Sequence, residues 1–304
     1  MKNSMNEVSK RKGLLLAGGK ATRLYPATSA VNKHLLPIFD KPMVFYSLSI
    51  LMLSKIREVA IVSSEKDIHF FNQVFGDGSH LGMNISYIVQ KEALGIANAI
   101  DISRSFIADH HLAVILGDNV FYGSALTPKL IQASSREVGA TIFCNEVKDP
   151  ERFGIAEFNE FSKVISIEEK PKKPKSNYAV TGLYFYDEKI SEIASSVKFS
   201  KRGEKEITSI NNFYLDNNEL FTEILGRGNT WLDTGTPSSL LEASQFISST
   251  QKNQGFQVAC LEEIALRNNW IDKNDLKQKF EKLKSSPYVS YVLSVIEQHE
   301  IFKY

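Results

Sequence analysis

The first half of the chain alternates short, unbroken apolar runs with segments of helical periodicity. Continuous apolar runs of five or six residues suit strands buried on both faces, whereas apolar positions spaced by three and four suit helices. On this reading residues 13–17 form a strand, 42–56 a helix with Pro42 at its permissive first turn, and Glu58–Ser63 (EVAIVS) a strand. A helix follows at 66–75, a strand at 85–89, a helix at 95–106 and the fully apolar strand 112–116 (LAVIL). Strands alternating with helices predict βαβ units around a parallel sheet covered on both faces. From Ala140 the texture changes: 140–147, 153–158 and 163–168 are short strand-like runs divided by turn residues such as Asp149-Pro150, and Tyr178–Tyr186 is rich in β-formers. Antiparallel structure is therefore expected beside the parallel core. After Trp231 the pattern turns helical, first at 237–248 and then in several helices to Tyr304. The expected fold class is α/β, divided into a polar extension (1–12), a core with an insertion (13–249) and a helical region (250–304).

Composition narrows the function without naming it. The 304 residues carry 36 Lys+Arg against 35 Asp+Glu, so no net field favours nucleic acid or an anionic membrane. With 43% apolar and 23% charged residues the chain reads as globular rather than disordered. The most apolar stretch, Met43–Leu53, is interrupted by Ser47 and Ser49 and is shorter than the roughly 20 residues of a membrane span, so it is expected in the core rather than at an interface. The polar N-terminal residues have no apolar run of the kind a secretory signal needs. Cys144 and Cys260, far apart, suggest neither a metal cluster nor a disulfide framework, and a reducing cytoplasm is the expected compartment.

Four segments could carry chemistry. Gly18-Gly19 ends the first predicted strand, and amides freed in such a turn can face phosphate oxygens while Arg23 adds a forked cation; a simple turn is the alternative. The dinucleotide fingerprint and the Walker A string are both absent. Lys33, ten residues beyond Arg23, could reach back over the glycine loop, although most lone lysines are solvated. Asp118 follows 112–116, at the carboxyl end of a buried parallel strand, where it could hold Mg²⁺ against phosphates or merely make a Gly-Asp-Asn turn. Asp233, followed by Thr-Gly-Thr-Pro, reads as a helix cap or as a second acid for the same ion. The basic run Lys170, Lys172, Lys173 and Lys175 reads mainly as a solvated loop.

Taken in order, LAGGKATRL, NKHLLP, DKPM, GDN, DPERFG, EEKP, KSNYAVTGLYFYD, RGEKEIT and WLDTGT resemble the glucose-1-phosphate thymidylyltransferases over residues 13–272. The resemblance implies a Rossmann-like nucleotidyltransferase core with an antiparallel sugar-binding insertion, and a helical region serving regulation or assembly. It implies Mg²⁺-dependent transfer of thymidylyl from dTTP to α-D-glucose 1-phosphate, giving dTDP-glucose for dTDP-rhamnose and related deoxysugars. Residue by residue, Gly18, Gly19, Thr22 and Arg23 would cradle the triphosphate and Lys33 would contact phosphate near the reacting centre. Gln90 and Gly95 would hold thymine, and Asp118 and Asp233 the Mg²⁺ ion. Gly154, Glu169, Lys170 and Val180 would form the sugar-phosphate pocket, with Lys170 on the phosphate and Trp231 beside it. A second, regulatory nucleotide site would use Tyr122, Gly123, Arg227, Glu263, Ile264 and Arg267, with dTDP-rhamnose as feedback inhibitor and a homotetramer as the assembly.

The chain departs from the family pattern near both substrates. Lys20-Ala21 stand for the usual Ser-Gly, His34 for Gln, Lys91 for Pro, Leu94 for Asp, Phe153 for Tyr and Thr127 for a His of the regulatory site. A Cβ at position 21 calls for a negative φ there. Alternatives are a uridylyltransferase, an enzyme for another sugar 1-phosphate, or a non-catalytic sugar-nucleotide sensor on the same fold; a nicotinamide-dependent oxidoreductase is disfavoured by the missing fingerprint.

Overall fold

A computed structural model describes residues 10–19 and 21–298, so most of the expected polar extension, Lys20 and the last six residues lie outside it. In chain order the first half comprises β1 (Arg11–Leu16), β2 (Pro37–Ile38), β3 (Lys41–Pro42), α1 (Met43–Leu53), β4 (Glu58–Ser63), α2 (Ile68–Phe75), β5 (Asn84–Val89), α3 (Ile96–Ile102), α4 (Arg104–Ile107) and β6 (His111–Leu116). There follow β7 (Asn119–Gly123), α5 (Leu126–Ser135), β8 (Ala140–Glu146), β9 (Gly154–Phe158), β10 (Val164–Glu169), β11 (Tyr178–Tyr186), α6 (Ile190–Ser196), α7 (Ile207–Asp216), β12 (Leu220–Ile224) and β13 (Asn229–Asp233). Four helices close the described chain: α8 (Pro237–Gln254), α9 (Leu261–Arg267), α10 (Lys273–Glu281) and α11 (Pro287–Gln298).

The apolar runs do form the expected parallel strands. β1 lies between β4 and β6, all three parallel, with Leu14 opposite both Ala60 and Val114. The antiparallel strands continue that same sheet rather than making a separate one. β11 pairs antiparallel with β6, β8 lies on its other edge, and β9 and β10 extend it; with β5 beside β4 and β12 beside β8 the sheet has nine strands among the described residues. Successive residues of each buried strand feed opposite faces. Leu15, Ile61 and Ile115 pack with α1 on one side, while Leu14, Val62 and Val114 pack with α3, α6 and α7 on the other. Helix α1 is enclosed almost all round, as expected for Met43–Leu53, and comes so close to β1 that a Cβ on Gly13 would lie 2.9 Å from Leu51 Cδ1. The last three helices share a small core of their own around Leu266, Leu276, Phe280 and Val292. No helix among the described residues is long and apolar enough to cross a membrane.

Pro42 lies in β3 as the cap of α1 rather than in its first turn, and α1 ends at Leu53 instead of 56. Three further boundaries bear on the packing. β1 begins at Arg11, taking Arg11 and Lys12 from the segment read as an extension. The Arg11 side chain is buried and donates to the carbonyls of Leu112 (3.0 Å), Tyr186 (2.6 Å), Ser134 (3.0 Å) and Arg136 (2.7 Å), so this charged residue serves as a clasp. The helix expected at 95–106 breaks at Ser103, whose hydroxyl donates to Ala99 O at 2.7 Å. Helix α8 runs on to Gln254, started by a capping box between Thr236 and Ser239 and ended by Gly255 at φ 74°.

Candidate active site

The chain lays β1, β4 and β5 in one direction across the sheet and then returns to place β6 on the other side of β1. Such a reversal opens a crevice at the carboxyl ends of the two central strands. Gly18 and Gly19 leave β1 there, and Asp118 leaves β6. One cavity at this end is lined by Gly18, Gly19, Lys33, Gln90 and Gly95, and a second by Thr22, Arg23, Gly154, Val180, Trp231 and Asp233. Asp118, Glu169 and Lys170 line both and form the wall between them.

Lys33 is delivered by a single 3-10 turn that Asn32 fastens. Asn32 Oδ1 accepts from His34 N at 2.9 Å, and its Nδ2 donates to Ala17 O at 3.2 Å and Asp67 Oδ2 at 3.0 Å. Lys33 Nζ pairs with Asp118 Oδ2. His34 is buried against Gly117, where a Cβ would lie 2.7 Å from His34 Cδ2. Burial first and the Lys33 charge second push the imidazole down to about 3, so the ring is neutral.

The two acids seen in the sequence both line the second cavity. Burial opposes the Asp118 charge, but Lys33 and the hydrogen bonds from Lys33 and Asn119 hold this carboxyl well below the usual range. Asp233 is shifted the other way, raised by burial and then by the charge of Asp118, with Arg23, Arg152 and Lys33 in opposition. Arg152 Nη2 lies 3.1 Å from Asp233 Oδ2. The Arg23 guanidinium rests on Gly235, where an added Cβ would come within 2.7 Å of Nη2. Among the described residues no group of three or more His, Cys, Asp or Glu is arranged to hold a metal alone. Two carboxylates are nevertheless a sufficient protein share for an ion whose other ligands are phosphate oxygens and water.

On the other side of the wall, Glu169 accepts from Thr208 Oγ1 at 2.6 Å and pairs with Arg202 at 3.3 Å. Lys170 adopts φ 46°, fastened by its N–H to Phe153 O at 2.9 Å, which turns the chain after β10 toward the cavity. Phe153, standing where a Tyr is usual, meets Trp231 edge to face at 5.3 Å. Gln90 donates through Nε2 to Asn98 Oδ1 at 2.9 Å and Gly95 O at 3.4 Å.

Asn119, Arg152, Arg202 and Thr208 stand in motifs quoted from the sequence, yet their parts emerge only here. Asn119 Oδ1 accepts from Trp231 Nε1 at 2.6 Å and from Gly182 N at 2.9 Å, while its Nδ2 donates to Asp118 Oδ1 at 3.0 Å. Gly182 sits where the β11–β8 register breaks, and the Asn119 oxygen replaces the missing strand partner. Ala21 departs from the expected negative φ. It holds φ 47°, with its carbonyl accepting from Leu24 N at 3.0 Å and Thr28 Oγ1 at 3.2 Å, so the loop keeps a left-handed turn without its usual glycine.

The residues expected at a regulatory site line neither cavity. Tyr122 and Gly123 end β7, Arg227 lies in the turn before β13, and the Tyr122 hydroxyl donates to Gln254 on α8. Glu263, Ile264 and Arg267 lie on α9, where Glu263 pairs with Arg267 at 2.8 Å and accepts from Tyr291 Oη at 2.6 Å.

Comparison with known proteins agrees with this architecture. A family model described as nucleotidyl transferase matches residues 12–250. A glucose-1-phosphate thymidylyltransferase of Xanthomonas campestris pv. campestris is 49% identical over 96% of this chain and 99% of its own length. One from Neisseria meningitidis serogroup A is 47% identical over 94% of this chain and all of its own. A crystal structure from Bacillus anthracis, described as a glucose-1-phosphate thymidylyltransferase in complex with a sucrose, superposes with a TM-score of 0.72 at 39% identity, covering 78% of this chain and 94% of that one. A β1–β6 crevice walled by Asp118 and Lys170, in a chain nearly coextensive with these relatives, belongs to the nucleotidyl transferase family, among the glucose-1-phosphate thymidylyltransferases.

Proposed function

We propose that the chain transfers thymidylyl from dTTP to α-D-glucose 1-phosphate, releasing pyrophosphate and forming dTDP-glucose. The observation that carries this is the pair of adjoining cavities, with Asp118 and Lys170 lining both, Lys33 lining the first and Arg23 the second. Two substrates lying on either side of such a wall would meet at phosphorus. A phosphate oxygen of the sugar phosphate attacks the α-phosphorus of dTTP in line, the bond to the bridging oxygen breaks, and pyrophosphate leaves. The nucleophile is already anionic near neutral pH, so the protein's task is alignment and cancellation of charge rather than proton removal.

In this reading Gly18, Gly19 and Thr22 give the triphosphate its turn and Arg23 its fork, Lys33 contacts phosphate near the reacting centre, and Gln90 and Gly95 hold thymine. Gly154, Glu169, Val180 and Trp231 shape the sugar pocket, and Lys170 meets the sugar phosphate. Asp118 and Asp233 would hold Mg²⁺. The donor set fits, because the charge of Asp118 raises the proton affinity of buried Asp233, a repulsion that a divalent cation would relieve. When bound, the ion would supply charge neutralisation at phosphate.

The test is pyrophosphate release with Mg²⁺, crossing dTTP and UTP against glucose 1-phosphate and other sugar 1-phosphates. Release with dTTP and glucose 1-phosphate, abolished by EDTA and restored by Mg²⁺, is the expected result. No release from any pair by folded, nucleotide-binding protein would favour the sensor. A second site at Tyr122, Gly123, Arg227, Glu263, Ile264 and Arg267 belongs to the same proposal and is tested by titration with dTDP-rhamnose. A homotetramer belongs to the same proposal. Sedimentation tests it.

A further inference from the structure

We propose that Asn32 is a positioning residue for the transfer. It closes the neck of the loop between Gly18 and Lys33 and so fixes the Lys33 ammonium against the glycine turn. This rests on the assignment of Lys33 and the glycine turn to the triphosphate.

The chain leaves the sheet at Gly18 and returns at Asn32. Among the described residues every hydrogen bond made by 21–31 stays inside that segment: Leu24 N to Ala21 O, Tyr25 N to Thr22 O, Ser29 N to Pro26 O and Thr28 Oγ1 to Ala21 O. No hydrogen bond of the loop itself therefore sets where the returning chain lies. Asn32 is the first residue to bond back, and its Nδ2 meets the carbonyl of Ala17, the residue at which the loop begins, at 3.2 Å. Ala17 is a firm anchor. Its N–H donates to Val62 O at 2.8 Å, and its carbonyl also accepts from Ser63 Oγ at 2.9 Å. The second Nδ2 bond runs to Asp67 Oδ2 at 3.0 Å, an oxygen that Ser64 Oγ also reaches at 2.8 Å.

The Asn32 amide has a single orientation. A backbone carbonyl and a carboxylate only accept, and the His34 N–H that meets Oδ1 at 2.9 Å only donates. Turning the amide over would set its oxygen against two acceptors and its NH₂ against a donor, and none of these partners can change role to follow it. Asn32 is 8% exposed, so water does not readily replace what its removal breaks. The other anchor of the turn, the buried His34 ring, leans on the same amide, with Nδ1 2.8 Å from Oδ1. The turn itself survives without the side chain, because Leu35 N still donates to Asn32 O at 3.0 Å and Leu36 N to Lys33 O at 3.1 Å. What is lost is its placement. Lys33 shares a cavity with Gly18 and Gly19, so a slack neck moves the ammonium relative to the glycine amides. A misplacement of about 1 Å in such a group can cost about a hundredfold in rate.

The experiment measures kcat, KM for both substrates and, by calorimetry without sugar phosphate, Kd for dTTP. It uses the wild type, Asn32→Ala, Asn32→Asp, Lys33→Ala and the double variant Asn32→Ala/Lys33→Ala, with melting temperatures to check the fold. Asn32→Ala is expected to lower kcat/KM for dTTP by at least about tenfold and to leave KM for glucose 1-phosphate within about twofold. Asn32→Asp keeps an acceptor for His34 N but turns oxygen toward Ala17 O and Asp67, and it falls at least as far; it carries the test should Asn32→Ala not fold. On top of Lys33→Ala, Asn32→Ala costs less than about twofold more in kcat and in Kd, because it acts through Lys33. The same loss in both backgrounds, an equal rise in KM for glucose 1-phosphate, or wild-type kinetics in Asn32→Ala or Asn32→Asp overturns the inference. A Lys33→Ala variant as active as the wild type overturns the functional reading of Lys33 instead.

Discussion

Lys33 and Asp118 are 85 residues apart in sequence and pair in the wall of the crevice, and much of the site's behaviour follows from such single side chains. Replacing Asp118 by Asn preserves shape but removes the charge that meets Lys33; kcat/KM for pyrophosphate release should fall at least about a hundredfold while the far-ultraviolet circular dichroism stays native. His34 gives a pH prediction. In the unfolded chain its ring protonates near pH 6.5, whereas in the folded chain it stays neutral down to about 3. Acidification through that window adds a proton to the unfolded state alone, so stability falls as the pH falls, by about 1.5 kcal/mol between pH 6.5 and 5. His34→Gln removes this contribution, and urea unfolding should show a shallower pH slope; parallel slopes would contradict it. Ala21 at φ 47° is strained, so Ala21→Gly should stabilise by about 0.5–1 kcal/mol, read as a higher melting temperature. These residues were legible to different degrees. The doublet Gly18-Gly19 and the acid after an apolar strand announce themselves, whereas Asn119 and Arg152 owe their parts to partners 112 and 81 residues away.

At the scale of elements, β4 falls where the sequence puts it because a strand enclosed on both faces leaves an apolar run, and β11 because its residues are rich in β-formers. The strand β7 and its antiparallel partner β13 were not legible. Asn119–Gly123 and Asn229–Asp233 are short, and their pairing brings together segments about a hundred residues apart. Yet this pairing puts Asp233 opposite Asn119 and so brings the second acid to the crevice. The turn after β13 holds Arg23 through Gly235. In Gly235→Ala the new Cβ would displace the guanidinium, a mobile end, rather than backbone. Melting temperature should change little while kcat/KM drops about tenfold or more; an unaltered rate would remove Arg23 from the phosphate site.

Across the whole molecule, Arg11 ties the paired strands β6 and β11 to the end of α5. Its guanidinium serves carbonyls of β6 and β11 and of the chain at and just after the end of α5, and burial lowers its pKa to about 10 despite the nearby Asp187. Arg11→Ala should cost about 3 kcal/mol, measured as a lower urea midpoint, since buried acceptors would lose a charged donor. By itself the sequence determined the α/β class, the buried strands and helix α1, because hydrophobic period is a local property that burial imposes on each element. It also determined which residue types were available to meet phosphate. Only the tertiary structure decided that β8–β11 extend the central sheet instead of forming their own, that Arg11 belongs to the core, and that Asp118 and Lys170 form one wall between two cavities. Strand order and convergence depend on pairings between distant segments, and no local pattern of apolar and polar residues encodes which edge a strand will find.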